Sequence, residues 1–366
     1  MIRKIQTLSV TLLKALILLT VLLLIGWVTL PIAHAESTVI KFVDEEHGQE
    51  PWITNLTSKG THLLKDIDKG KMSSFAFFGG DDQSVSLNGY QYFIASNSIY
   101  RSDGTAKRTK VEGNIDEMQI NNLVKYNNKL YFTINDQPSL YRVFPRGQAI
   151  SASSILTFDQ SKVSREILSI ESGAFDNKML LLIHSQMHKG NGKSYDLRLS
   201  NGQRGWSKIL NYQPKPSHGS PKRLARIFIT GRNIYLLDDY ESEIWKIRNT
   251  TQAPKIAQLT KFTLPKDVAL NPTAILADKN HLYFASLQGD IYKTDGSQKR
   301  TKKINKTKLK NEDYFKFVKL FKNHIIVHAI TGQQSEEINT LYKLNLSTGK
   351  WSKLKTNHTS RRVPHG

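Results

Sequence analysis

One pattern returns along this chain, and the return of a supersecondary unit constrains a fold more than any single residue can. Residues 42–61 run from Phe42 through Trp52 and a polar turn to Gly60 and Thr61. Residues 99–109 repeat the scheme with Tyr100, Asp103, Gly104, Thr105 and Thr109, and a weaker copy at 291–301 keeps Tyr292, Asp295, Gly296 and Thr301. Each copy sets an aromatic in one strand, a polar turn after it, and a Thr at the start of the next strand. Asp-Gly suits a tight hairpin and β-branched Thr suits a strand. The aromatic, Trp245 in a further copy, is expected to fill space between neighbouring units. These repeated residues are therefore structural in the first instance.

Beyond residue 36 the texture is short apolar runs broken by Gly, Asn, Asp and Lys clusters, which reads as strands and turns. Seven copies of one strand stand out, at 38–43, 90–95, 130–135, 179–184, 234–238, 281–286 and 325–330. Turn pairs such as Asn88-Gly89, Asn127-Asn128 and Asp176-Asn177 precede them, and such residues tolerate the positive φ of two-residue hairpins. A partner strand follows each copy, then a turn and an outer strand such as 61–67, 206–210, 255–259 or 351–354; an inner strand precedes most of them. Four antiparallel strands per unit, at a spacing of roughly 40–50 residues, predict an all-β chain folded as a β-propeller. The expected count is seven four-stranded blades, with six as the alternative, over residues 36–355. Labelled a to d from the axis outward, the first unit has b, c and d but no a. The tail, 356–366, is a candidate for the missing ring-closing strand, since a ring must hide its sheet edges.

Residues 42–67 resemble a repeat of bacterial exported proteins written F-x-A-x-D-x-x-x-G-x-E-L-W-x-x-D-G-T-x-x-G-T-x-L-V-K-D-I. Asp44, Gly48, Glu50, Trp52, Thr57, Gly60, Thr61, Leu63, Lys65, Asp66 and Ile67 stand in register with it. The second copy has Arg108 where the motif has Gly. The resemblance implies an exported, propeller-like protein, and it carries no shared activity.

The N-terminus agrees with export. Arg3, Lys4 and Lys14 flank an apolar run over 15–25, Pro31 breaks it, and Ala33-His34-Ala35 offers a small-x-small cleavage site. Residues 1–35 thus read as a signal helix, removed in a periplasmic or secreted protein; an uncleaved inner-membrane anchor is the alternative, because 15–33 is long enough to span a bilayer. Cleavage takes three basic and no acidic residues from the +21 chain, leaving +18. Such an excess favours anionic partners. The chain has no Cys, which excludes thiol chemistry and Cys-based metal sites.

No strand–glycine-loop–helix unit is present, so no nucleotide cofactor is expected. His184 and His188, like His324 and His328, are four apart. On one strand that puts the rings about 13 Å apart, too far for one metal, so no metal is expected either. Asp44, Glu45, Glu46 and Glu50 form one acidic b-to-c loop, and Asp238, Asp239, Glu241 and Glu243 another. Carboxylates across the axial funnel would suit a glycan hydrolase or lyase, which is the alternative function.

The leading expectation is a noncatalytic binding scaffold. In this topology b-to-c and d-to-a loops share one face, and the long connectors (44–49, 185–194, 211–223, 262–270, 305–313 and 331–339) all belong to it. Binding concentrates where loops vary on a rigid frame. That face carries Lys189, Lys193, Lys215, Lys222, Arg223, Lys266, Lys306, Lys308 and Lys310, which suit a protein, an acidic glycan or a lipid headgroup. Lys107, Arg108, Lys299 and Arg300 sit on the other face. Nucleic acid is disfavoured by export and by the lack of an aromatic-basic stacking platform.

Overall fold

A computed structural model describes residues 37–75, 84–114, 119–135, 137–146, 149–160, 163–187, 193–203, 206–213, 223–251, 259–305, 314–333 and 336–360. They form seven antiparallel sheets with sequential strand order, the blades of a β-propeller. Blade 1 has three strands, Thr38–Asp44, Gly48–Thr54 and His62–Leu63. The other six have four each. Blade 2 runs from Ser84–Leu87 to Lys110–Asn114, blade 3 from Ile120–Tyr126 to Ala149–Thr157, and blade 4 from Val163–Ala174 to Ser207–Tyr212. Blade 5 runs from Leu224–Ile229 to Thr260–Lys261, blade 6 from Leu270–Ala277 to Lys302–Lys303, and blade 7 from Tyr314–Phe321 to Trp351–Ser360.

The interior follows from strand alternation. Successive side chains leave a strand on opposite faces, so each blade feeds two seams. In blade 4, Leu180 and Leu182 pack towards blade 5, while Met179, Leu181 and Ile183 pack towards blade 3. Seven separate apolar clusters result, one at each blade-to-blade seam. The seam between blades 7 and 1 joins Ile40, Phe42 and Trp52 to Ile326, Leu341 and Leu354, which closes the circle. The motif aromatics all face the preceding blade: Trp52, Tyr100 and Trp245 are buried there, and Tyr292 packs partly buried. Each fully buried Leu or Ile contributes about 1.5–3 kcal/mol by leaving water.

All seven expected b strands are present, and Asn88-Gly89 and Asn127-Asn128 carry the positive φ expected of them. Other expectations need correction. The described outer strand of blade 5 is Thr260–Lys261; of the expected 255–259, residues 255–258 fall outside the described ones and Leu259 is not in a strand. This strand has two exposed residues and no alternation to betray it. The connectors at 185–194 and 331–339 are largely ladder rather than loop: Gln186 pairs with Lys193, and Thr331 with Ile338. Of the expected ring-closing tail, residues 361–366 fall outside the described ones, and the described part is not an innermost strand. Residues 356–360 continue the outer strand of blade 7, paired from Thr340↔Thr356 to Glu336↔Ser360, because the c strand beside them is equally prolonged and offers its edge.

The inner edge of blade 1 is closed instead by side chains. In five blades the innermost strand is bulged, and a bulge re-aims side chains. The re-aimed polar groups bond the next blade's inner strand. Asn122 donates to the Leu168 carbonyl (3.2 Å), Ser169 accepts from the Ile227 amide (3.3 Å), Arg226 donates to the Pro272 carbonyl, and Asn271 donates to the Phe315 carbonyl (3.0 Å). Where blade 1 has no inner strand among the described residues, Lys319 of blade 7 donates to the Ser84 carbonyl of blade 2 at 2.7 Å. Ser84 in turn donates to the Val39 carbonyl (2.8 Å), and Asn357 from blade 7 donates to the Val43 carbonyl (2.9 Å). Both carbonyls would otherwise be open edge groups.

Candidate functional site

The repeated motif builds turns. In blades 1, 2 and 6 the c-to-d connection is locked by a hydroxyl pair: Thr54 with Thr61 (2.7 Å), Ser102 with Thr109 (2.7 Å) and Thr294 with Thr301 (2.8 Å). Asp103 accepts from the Thr105 amide and hydroxyl, and Asp295 from those of Ser297. A 3₁₀ turn follows, Ala106–Arg108 or Gln298–Arg300, so the connection is longer than the two-residue hairpin that Asp-Gly suggests. Gly296 has φ +95°, and a Cβ there would meet Asn233 at 2.3 Å and the Tyr235 hydroxyl at 2.7 Å. Only glycine fits. Lys246 of the preceding blade donates to the Gly296 carbonyl at 2.9 Å, and Lys343 does the same to Leu56 at 2.7 Å.

The acidic loops also serve turns. Asp44 accepts from the amides of Glu46 (3.0 Å) and His47 (2.7 Å), and Asp238 from those of Tyr240 (3.1 Å) and Glu241 (3.2 Å). Glu45 pairs with Lys71 (2.6 Å) and accepts from the Ser360 amide (2.6 Å). Asp239 holds Arg223 in a two-point ion pair. Glu50 is fully buried and accepts from the amides of Ile67 (3.0 Å) and Ser74 (3.1 Å), tying down the chain that leaves blade 1. Burial pushes its pKa up to about 7, against the pull of those donors. His328 is buried, hydrogen-bonded to Asn339 at 2.8 Å, and pushed down to about 4 by burial and the nearby Lys316 and Lys41 charges. His184 lies against the Tyr195 ring, and its expected companion His188 falls outside the described residues. No group of three or more metal-ligating side chains occurs among the described residues.

Two surfaces remain. The first is the face of the b-to-c and d-to-a loops. Of the seven large apolar side chains exposed among the described residues, five belong to it: Met72, Met187, Tyr240, Leu287 and Tyr314. Met187, Tyr240 and Leu287 occupy the b-to-c position of three consecutive blades, Tyr240 at 68 % and Leu287 at 61 % exposure. Of the basic residues expected there, Lys193 and Lys266 are exposed, and Arg223 is engaged with Asp239. Lys189, Lys215, Lys222, Lys306, Lys308 and Lys310 fall outside the described residues. Tyr314 was legible near a strand end of this face, but Met72, Met187, Tyr240 and Leu287 were not singled out from sequence. An exposed Leu in a loop looks like any other until the ring lines it up with its counterparts.

The second surface is a recess of about 1000 Å³ on the opposite face, over blade 5 and between the turns of blades 4 and 6. Arg232, Lys246, Arg248 and Arg300 line it, with Asp176 and Asp295. Asp295 lies 2.9 Å from Arg300 and 3.6 Å from Arg232. Arg300 was expected on this face from topology. Its meeting with Arg232, from the neighbouring blade, requires the packing of blade 5 on blade 6.

No protein-family model and no curated protein matches the chain. Solved structures do. YCF48 from Cyanidioschyzon merolae is 9 % identical, with a TM-score of 0.46 over 75 % of this chain and 84 % of that one. KlAtg21, solved with the coiled-coil of AgAtg16, is 11 % identical, with a TM-score of 0.46 over 88 % and 95 %. The N-terminal domain of Nup159 is 9 % identical, with a TM-score of 0.45 over 88 % and 87 %. These are likenesses of fold alone.

Proposed function

We propose that this chain is an exported, noncatalytic scaffold that holds a protein partner on its long-loop face. The observation that carries the reading is the row Met187, Tyr240 and Leu287 on three adjacent blades, with Tyr314 and Met72 on the same face. Exposed apolar groups clustered on one side of a soluble fold mark an interaction surface. Aromatic and Met side chains are enriched where protein partners bury. Lys193 and Lys266 beside them favour a partner with acidic segments at its rim. The face belongs to a frame that cross-blade hydrogen bonds hold rigid, so little order is lost on docking.

The test uses the mature chain as bait for the exported fraction of its source, with bound proteins crosslinked and the crosslinks mapped. Crosslinks should fall on the long-loop face, and the Tyr240→Asp, Leu287→Asp double variant should lose them. A Lys107→Glu, Lys110→Glu variant on blade 2 should keep them. Retention by the first variant, or binding of acidic glycans or lipid vesicles with no protein captured, would remove this reading.

A further inference from the structure

We propose that the recess over blade 5 is a separate binding site for a phosphomonoester. It stands on the opposite face and does not depend on the protein-docking reading.

Four cationic side chains, Arg232, Lys246, Arg248 and Arg300, face two carboxylates, Asp176 and Asp295. The surplus is two positive charges, which matches the charge a phosphomonoester carries near neutral pH. Asp295 is fixed from below: one oxygen accepts the Ser297 amide (3.1 Å) and hydroxyl (2.9 Å). Its other oxygen lies between the two guanidiniums, 2.9 Å from Arg300 and 3.6 Å from Arg232. One carboxylate therefore positions two guanidiniums without neutralising both. They stay 66 % and 71 % exposed, with further N–H donors towards the recess. A guanidinium fork matches the geometry of phosphate oxygens. Arg248 lines the same recess and makes no side-chain hydrogen bond or ion pair with any described residue. Thr251 adds a hydroxyl donor, while the hydroxyls of Thr260 and Ser297 are spent on the Lys246 carbonyl and on Asp295. The recess is at the upper end of the size of small-molecule sites, enough for a phosphorylated sugar or a headgroup.

The molecule contains its own control. Blade 2 has the same turn, with Arg108 paired to Asp103 at 3.2 Å. The turn therefore needs one arginine. Among the described residues, blade 1, its predecessor, has no innermost strand and so no a-to-b turn, and nothing there corresponds to Arg232. Arg232 and Arg248 are extra to what the repeat requires, and both point to the recess.

Calorimetry on the mature chain would use inorganic phosphate and glucose 6-phosphate against acetate at matched ionic strength. Both phosphates should bind and acetate should not. Arg232→Gln and Arg248→Gln should each weaken phosphate binding at least tenfold, while Arg108→Gln leaves it unchanged and reports on the turn alone. Binding should weaken as pH falls from 7.5 to 5.5, where the ester loses its second charge. Vesicles with phosphatidic acid, a lipid phosphomonoester, test a membrane source against phosphatidylglycerol, a diester. Preference for phosphatidic acid supports a lipid ligand, and glucose 6-phosphate binding without vesicle binding supports a soluble one. Acetate binding as tightly as phosphate, or full affinity in folded Arg232→Gln, Arg248→Gln protein, would overturn the site and leave the docking face untouched.

Discussion

Ser102 and Thr109 share one buried hydrogen bond, and Thr109 also donates to the Thr105 carbonyl at 2.7 Å. Replacing Thr109 by Val takes the acceptor from the buried Ser102 O–H and one of two donors from that carbonyl, which keeps the Arg108 amide. The expected cost is about 1–3 kcal/mol, read from the midpoint of urea unfolding. Two other buried groups make stability depend on pH, in opposite senses. His328 has a folded pKa of about 4, below its ordinary value. Below pH 6.5 the unfolded chain takes up a proton that the folded chain refuses, so stability falls as pH drops towards 4, by up to about 3 kcal/mol. Glu50 has a folded pKa of about 7, above its ordinary value. Between pH 4.5 and 7 the folded chain keeps a proton that the unfolded chain has lost, so this group makes stability fall as pH rises. The two slopes oppose each other over the acid range. His328→Gln should remove the first, so that Tm rises on acidification from pH 6.5 to 5 where the parent's stays nearly flat. Asp103, Gly104 and Thr105 were legible as turn residues because their roles are local. The buried hydroxyl pairing was hidden, since Ser102 and Thr109 lie on two strands whose register had to be known first.

Single elements show where sequence pattern runs out. The b strands could be read because they are central, buried on both faces and preceded by Asn or Gly turns. The outer strand at Thr260–Lys261 is two residues long and exposed, so hydrophobic pattern has nothing to mark. The missing inner strand of blade 1 was legible as an absence. Its remedy was not: Lys319 and Ser84 are 235 residues apart. Lys319→Met keeps the stem and removes the ammonium that bonds the Ser84 carbonyl. It should lower Tm by several degrees and raise amide exchange in Thr38–Asp44, with blades 3 to 6 unchanged. Truncation after Lys355 removes the Asn357 and Ser360 bonds to blade 1 and should produce the same local loosening.

The whole molecule assigns its two faces by topology, and that assignment was open to inference from loop order alone. Which face carries which chemistry was not. Charge is spread over both, and the apolar row and the arginine pair each come from consecutive blades, so only the packing of blade on blade assembles them. The apolar interior is likewise divided, with one cluster at each seam and none shared by all blades. Cavities cut into distant seams should therefore behave independently. Leu182→Ala, between blades 4 and 5, and Ile326→Ala, between blades 7 and 1, should have losses that sum within about 0.5 kcal/mol. Leu182→Ala and Leu236→Ala share one cluster and should depart from additivity. A protein built this way can accumulate damage sector by sector, and a substitution tolerated in one sector leaves the tolerance of the opposite sector intact.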